Sequence, residues 1–119
     1  MSKKILVVED EILVLKTLES KLKEKGFDVV TAINGVVALE KIQNEPIDLI
    51  LVDVEMPQMN GYTFVTKLKE LKLARFVPVV VMAETEELCD IFRRKGVKDF
   101  CAKPPAWEEL FSIVHRLTD

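Results

Sequence analysis

The chain has 119 residues, of which 49% are apolar and 31% are charged, a balance typical of a soluble globular protein. Its 17 basic and 20 acidic residues are mixed along the chain and give a net charge of −3, which does not favour direct binding to nucleic acid or to an anionic membrane. No apolar run approaches the roughly 20 residues of a membrane span, so we expect a single soluble domain over residues 1–119.

The two cysteines and the amino-terminal stretch indicate a cellular location. Cys89 and Cys101 lack the spacing of metal ligands or of a redox pair, so we expect two reduced, mostly buried thiols. Acidic residues interrupt the first apolar stretch, and no small-residue cleavage site follows it, which argues against a signal peptide. These features favour a cytoplasmic protein.

The first half of the chain alternates between strand and helix patterns. An apolar run over residues 4–9 predicts a buried strand, and Gly26 is placed to end the helix that follows. The apolar face of that helix consists of Val14, Leu15, Leu18 and Leu22. Residues 27–32 form a second predicted strand, Asn34 and Gly35 a turn, and residues 36–44 a second helix, which ends before Pro46.

The second half repeats the alternation. A continuous apolar strand over residues 47–53 ends at Asp53, and a loop marked by Pro57 and Gly61 leads to a helix over roughly residues 62–74. A strand is predicted over 79–83, then a helix from the glutamates near 84–87 to the basic residues 93–95, and then a short strand over 99–102. The last helix follows a rigid turn at 103–105, with core spacing at Trp107, Leu110, Phe111, Val114 and Leu117.

This alternation predicts an α/β fold with a doubly wound, five-stranded parallel sheet that is covered by helices on both faces. In the strand order 2-1-3-4-5, the ends of the first and third strands are neighbours, so Glu9 and Asp10 lie beside Asp53. The ends of the fourth and fifth strands then place Ala83 and Lys103 on the other side.

Three carboxylates at one edge repel each other unless a cation neutralises them. Mg²⁺ takes such oxygen ligands, and a lysine on the same edge is suited to bind a phosphoryl group. Each residue also has an ordinary interpretation: Asp10 as the N-cap of the first helix, Glu9 as a solvated strand end, and Lys103 as a surface lysine. Their joint position at the carboxyl ends of the strands favours the phosphate site.

Over essentially its whole length, the chain resembles a response-regulator receiver domain of two-component signal transduction, which has a flavodoxin-like fold. The resemblance depends on the pair Glu9-Asp10, on the stretch from Asp53 to Pro57 with Gly61 behind it, and on Lys103-Pro104. It implies that Asp53 is a phosphoacceptor, phosphorylated by a histidine kinase or a phosphotransfer protein. It also implies that the domain controls a downstream partner or output domain through the surface formed by the fourth helix, fifth strand and fifth helix.

The resemblance also implies the roles of the surrounding residues. Glu9, Asp10, Asp53 and the backbone carbonyl of Glu55 are the implied ligands of Mg²⁺. Lys103 is the implied phosphoryl-binding residue, and its bond to the following proline is implied to be cis. Such a domain is not an enzyme beyond catalysing, at most, its own phosphorylation and dephosphorylation.

The sequence departs from the family at the fourth strand, where the usual Thr or Ser is replaced by Ala83, whose methyl group cannot donate a hydrogen bond. Thr85 either substitutes for that hydroxyl or, as we favour, caps the fourth helix. Glu84 and Glu55 add negative charge near the site, although Glu55 could instead tighten metal binding. Phe100 occupies the position of the switching aromatic residue.

Two other functions remain open. A degenerate receiver would bind a partner without a phosphorylation switch, and Ala83 and Glu84 favour this alternative. A phosphatase or phosphotransferase would use Asp53 as a turnover nucleophile with Glu55 as acid and base. That alternative requires a substrate-binding cap segment, for which the five compact units leave little room.

Overall fold

The computed structural model describes residues 2–56 and 59–119, which form a parallel sheet flanked on both faces by helices. The strands are β1 (Lys4–Val8), β2 (Asp28–Ala32), β3 (Leu49–Asp53), β4 (Val79–Met82) and β5 (Asp99–Cys101). The helices are α1 (Ile12–Glu24), α2 (Gly35–Asn44), α3 (Gly61–Glu70), α4 (Glu86–Arg93) and α5 (Trp107–Thr118). The observed strand order, β2-β1-β3-β4-β5, confirms the predicted doubly wound α/β fold.

The central strands are buried on both faces of the sheet, with successive side chains on opposite faces. One face packs against α1 and α5 and carries Ile5, Val7, Leu49, Leu51 and Val80. The other face packs against α2, α3 and α4 and carries Leu6, Val8, Ile50, Val52 and Val81. All ten side chains are 0% exposed, which explains why these strands appear in the sequence as continuous apolar runs rather than as alternating ones.

The register of the strands brings the polar residues together. Val8 pairs with Val52, so Glu9 and Asp53 leave the sheet side by side. On the other side Asp53 pairs with Met82, so that Ala83 is the next residue beyond it. The carboxyl ends of β1, β3 and β4 therefore form one edge, as expected from the parallel topology.

The predicted end of the third helix is wrong, because α3 stops at Glu70 rather than near Ala74. The Lys72 N–H donates to the Lys69 carbonyl and the Leu73 N–H donates to the Leu68 carbonyl, which is the hydrogen-bond pattern of a Schellman motif. Lys72 adopts the left-handed conformation, with φ of 54°, that glycine usually supplies at this position. Leu71, the residue that follows the last turn of α3, is 54% exposed.

Two other helices end in the same way but with the expected glycine. Gly26 follows α1 with φ of 92°, and Gly96 follows α4 with φ of 89°. In both turns the next residue, Phe27 or Val97, donates its N–H back to the helix and buries its side chain. The predicted stop at Gly26 is thereby confirmed.

Asparagine side chains begin α2 and α3. Asn34 accepts a hydrogen bond from the Val37 N–H, and Asn60 accepts one from the Thr63 N–H, each at 2.9 Å. Asn34 is therefore a helix N-cap, so the predicted turn at Asn34 and Gly35 is the N-cap and the first residue of α2. Cys89 and Cys101 are buried free thiols, as expected. Among the described residues, none of the helices has the length and apolar character needed to cross a bilayer.

Candidate functional site

The acidic pair after β1 has two different environments. Glu9 is 0% exposed, so its interpretation as a solvated strand end is wrong. Its Oε2 accepts a hydrogen bond from the Asp10 N–H at 3.0 Å. Asp10 does not cap α1, because the N-cap position belongs to Glu11 and carries no side-chain cap bond. The Asp10 carboxylate is therefore not used in helix capping.

Lys103 reaches from the turn after β5 into this acidic edge. Its Nζ lies 2.7 Å from Asp53 Oδ2 and 3.1 Å from Glu9 Oε1. The lysine side chain is 17% exposed and Asp53 is 3% exposed, so the contact is largely removed from water. Lys103 is thus not an ordinary surface lysine, and its bond to Pro104 is cis, as the resemblance implied.

Burial changes the protonation equilibria of these groups. Burial first, and then the hydrogen-bonded Asp53, raise the pKa of Glu9 from its ordinary 4.5 to about 7, although Lys103 opposes the rise. Burial by itself lowers the pKa of Lys103, but its hydrogen bonds to Asp53 and Glu9 outweigh that effect and raise the pKa above its usual value. Lys103 is consequently a permanent cation between two carboxyl groups.

The donor set fits a hard divalent cation. Glu9, Asp10 and Asp53 each offer a carboxylate oxygen, and these oxygens lie within 4.8 Å of one another. Glu9 Oε1 is buried without a hydrogen bond, since Lys103 is near it but not aligned to donate. An unsatisfied buried carboxylate oxygen is costly unless a cation binds it. An all-oxygen set of this kind suits Mg²⁺.

Gly61 holds the loop after β3 against the phosphoacceptor candidate. Its N–H donates to the Val54 carbonyl at 2.7 Å. A Cβ on Gly61 would lie 2.4 Å from the backbone oxygen of Asp53, a distance that no side chain can adopt. Glu55, whose carbonyl is an implied metal ligand, lies in this loop with an exposed side chain. Pro57, the other residue predicted to mark the loop, lies outside the described residues.

The end of β4 carries the departures from the family pattern. Ala83 donates its backbone N–H to the Cys101 carbonyl at 2.9 Å. The residue is 7% exposed and belongs to the core on the face covered by α2, α3 and α4. Thr85 Oγ1 accepts a hydrogen bond from the Leu88 N–H at 3.3 Å, which favours the capping interpretation over a replacement for the missing hydroxyl. The Glu84 side chain is exposed.

Phe100, the aromatic residue at the switch position, is partly buried and pairs with Val81 across the sheet. The Arg93 guanidinium lies 5.1 Å from the centre of its ring, within the range of a cation–π contact. The same guanidinium contacts Glu86 at 3.1 Å and Asp90 at 2.6 Å. The ring is therefore covered by a charged side chain from α4.

Two features of the site were not expected from the sequence. Lys103 contacts Glu9 as well as Asp53. This double contact was unexpected because Glu9 had been assigned to metal binding and Lys103 to phosphoryl binding. Gly61 was expected to mark a turn, whereas its lack of a side chain is required by the approach of α3 to Asp53. The position of Gly61 directly after Asn60, at the start of an amphipathic helix, was the available signal.

Residues 5–115 match the family described as the response regulator receiver domain. The response regulator PleD of Caulobacter vibrioides is 38% identical over an alignment of 120 positions. The alignment covers 99% of this chain and 26% of PleD, so the chain spans about a quarter of that relative. Protein PilG of Pseudomonas aeruginosa is 32% identical over 93% of this chain and 84% of its own length. The chemotaxis protein CheY4 of Vibrio cholerae superimposes with a TM-score of 0.90 at 28% identity, covering 98% of this chain and 99% of its own.

Proposed function

The chain belongs to the response-regulator receiver family, and we propose that it accepts a phosphoryl group on Asp53 from a histidine kinase or a phosphotransfer protein. Receiver domains are signalling domains of two-component systems rather than enzymes with turnover, and phosphoryl acceptance and Mg²⁺ dependence are general to the family. Family membership therefore argues against the phosphatase alternative.

The contact between Lys103 and Asp53 carries this proposal. An ammonium 2.7 Å from Asp53 Oδ2 stands where it can bind the oxygens of a phosphoryl group transferred to that carboxylate. In the transfer, a carboxylate oxygen of Asp53 forms a bond to phosphorus while the bond between phosphorus and the donor atom breaks. The product is an acyl phosphate, and the electron pair of the broken bond leaves with the donor.

The proposed ligands of Mg²⁺ are Glu9, Asp10, Asp53 and the carbonyl of Glu55. When all side chains are ionised, the three carboxylates and Lys103 leave a formal charge of −2 at the site. A bound Mg²⁺ neutralises this charge and thereby removes the repulsion that an incoming dianionic phosphoryl group would meet. Glu9 and Asp10 would contribute as carboxylate ligands of the metal.

The first turn of α1 offers a surface for a protein donor. Leu13 is 82% exposed and Ile12 is 51% exposed, and they follow Glu9, Asp10 and Glu11 in the chain. Two exposed aliphatic side chains beside a polar site are typical of a protein contact rather than of a small-molecule pocket. The donor would bind there, while α4, β5 and α5 would face a downstream partner or output domain.

Phosphoryl acceptance is tested by incubation with Mg²⁺ and acetyl phosphate, followed by intact-mass measurement. We expect one added phosphoryl group on the wild type and none on Asp53→Asn. Asp28→Asn, which changes an exposed aspartate at the start of β2, is the matched control and should behave as the wild type. Absence of an adduct, together with no spectral response to beryllium fluoride, would refute the proposal.

A second candidate function is a degenerate receiver that binds its partner without switching. It is favoured by the buried methyl group of Ala83, which offers no hydroxyl to a phosphoryl oxygen. We expect Ala83→Thr to enlarge the amide shifts that beryllium fluoride causes around Phe100, whereas Ala102→Thr, at an exposed position, should not. An unchanged response of Ala83→Thr would show that the missing hydroxyl does not limit the switch.

A further inference from the structure

A groove of about 690 Å³ lies at the opposite end of the sheet from Asp53, where β4 and β5 begin. It runs between the end of α3, the segment 71–78 and the turn before β5. Its apolar lining includes Leu73, Val77 and Leu117, which are partly buried. The volume is within the range of known ligand sites.

The charged residues that line this groove are mostly cations. Lys69, Lys72, Arg75 and Lys98 line it. No ion pair among residues 2–56 and 59–119 involves any of the four. The one acidic residue of the lining, Asp99, is bound by Arg116 at 2.6 Å. A chain of net charge −3 therefore concentrates four unpaired cations in one concave surface.

An aromatic side chain stands at the rim of the groove. Phe76 is 94% exposed, and the Arg75 guanidinium lies 5.8 Å from its ring centre. The segment that presents it is shaped by two residues in the left-handed conformation, Lys72 with φ of 54° and Ala74 with φ of 49°.

We propose that this groove binds an acidic segment of a partner protein that also carries an apolar side chain. The cations would pair with its carboxylates, and the aliphatic lining together with Phe76 would bury its apolar residue. A short acidic segment interacts chiefly with charges within a Debye length, so it senses the groove rather than the whole acidic chain. A single-stranded nucleic acid would find one exposed ring, Phe76, to stack on, and the aliphatic lining would give its other bases no stacking surface.

The test uses a blocked synthetic hexapeptide in which a leucine and a phenylalanine stand between two pairs of glutamates. Titration into ¹⁵N-labelled protein should shift the amides of residues 68–77, 79 and 96–99, and added salt should weaken binding. The same peptide with glutamines in place of the glutamates should bind at least about fivefold more weakly.

Matched variants locate the site on the protein. Lys98→Glu should weaken peptide binding about five- to tenfold, whereas Lys16→Glu, an equal charge change on exposed α1, should leave it within about twofold. Phe76→Ala should weaken binding about fivefold without affecting folding, since the ring makes little contact with the core.

Four results would overturn the proposal. Three of them concern added ligands: the absence of saturable shifts at the groove, equal binding of the glutamine peptide, and stronger binding of a single-stranded oligonucleotide at the groove. The fourth is groove shifts that depend on protein concentration without peptide, which would identify a second copy of the chain as the occupant. None of these measurements depends on phosphorylation of Asp53, so they test the groove separately from the proposed phosphoryl acceptance.

Discussion

The buried carboxyl of Glu9 should make the stability of the metal-free protein depend on pH. Folding raises its pKa from 4.5 to about 7, so the native state holds a proton on Glu9 that the unfolded chain has lost at intermediate pH. The stabilisation is complete below pH 4.5 and is lost as the pH rises toward 7. The difference between the two pKa values corresponds to roughly 3 kcal/mol.

The variant Glu9→Gln removes this titration while keeping the shape of the side chain. In the presence of EDTA, its free energy of unfolding relative to the wild type should rise by about 2–3 kcal/mol between pH 5 and pH 8. Urea unfolding at both pH values measures this change, and any packing cost that does not depend on pH cancels in the comparison. An equal difference at the two pH values would refute the assignment of the buried charge to Glu9.

Magnesium supplies a second arm of the same experiment. At pH 8, Mg²⁺ should raise the unfolding midpoint of the wild type, because a ligand that binds only the folded state stabilises it. Glu9→Gln should gain much less, since a neutral amide is a weaker ligand for Mg²⁺ than a carboxylate. An equal gain in both proteins would show that Glu9 is not a ligand of the metal.

Three further predictions concern particular residues. Gly61→Ala should destabilise the fold by about 1–3 kcal/mol because its Cβ meets backbone, whereas Gly35→Ala, whose Cβ meets a flexible methionine side chain, should cost less in the same urea assay. Lys72→Gly should stabilise by about 1 kcal/mol because it removes a left-handed lysine, while Lys69→Gly within the helix should destabilise by a similar amount; thermal unfolding of both variants tests this. Burial, followed by the negative charge of a glutamate, raises the pKa of Cys101 to about 12, so its alkylation by iodoacetamide at pH 8 should be about a thousandfold slower in the native than in the unfolded protein, as peptide mass mapping would show.

The fold was largely predictable because the strands that build it are buried on both faces. Continuous apolar runs at β1, β3 and β4 are typical of strands whose side chains are buried on both faces of a parallel sheet. The end of α3 was not predictable, since Lys72 occupies a position where the sequence signal is normally glycine. Sequence propensities do not predict a left-handed conformation at a residue, such as lysine, that rarely adopts it.

The site was predictable in position but not in detail. Parallel topology alone brings Glu9 and Asp53 to one edge, so their proximity follows from the strand order. The contact of Lys103 with both carboxylates depends on how a long side chain leaves its turn, which periodicity does not encode. The complete burial of Glu9 likewise results from what packs over it, and a strand-end position in the sequence is compatible with exposure as well as with burial.

The close approach of Gly61 to the backbone of Asp53 makes α3 a direct connection between the two ends of the sheet. The helix begins in van der Waals contact with the backbone of Asp53 and, about 15 Å further along its axis, ends in the turn that presents Lys72 to the basic groove. Between these ends, Phe64 and Leu68 are buried in the core and hold the helix against the sheet. Because one helix contacts both places, a shift of the backbone at Asp53 that moved the start of α3 would also move one wall of the groove.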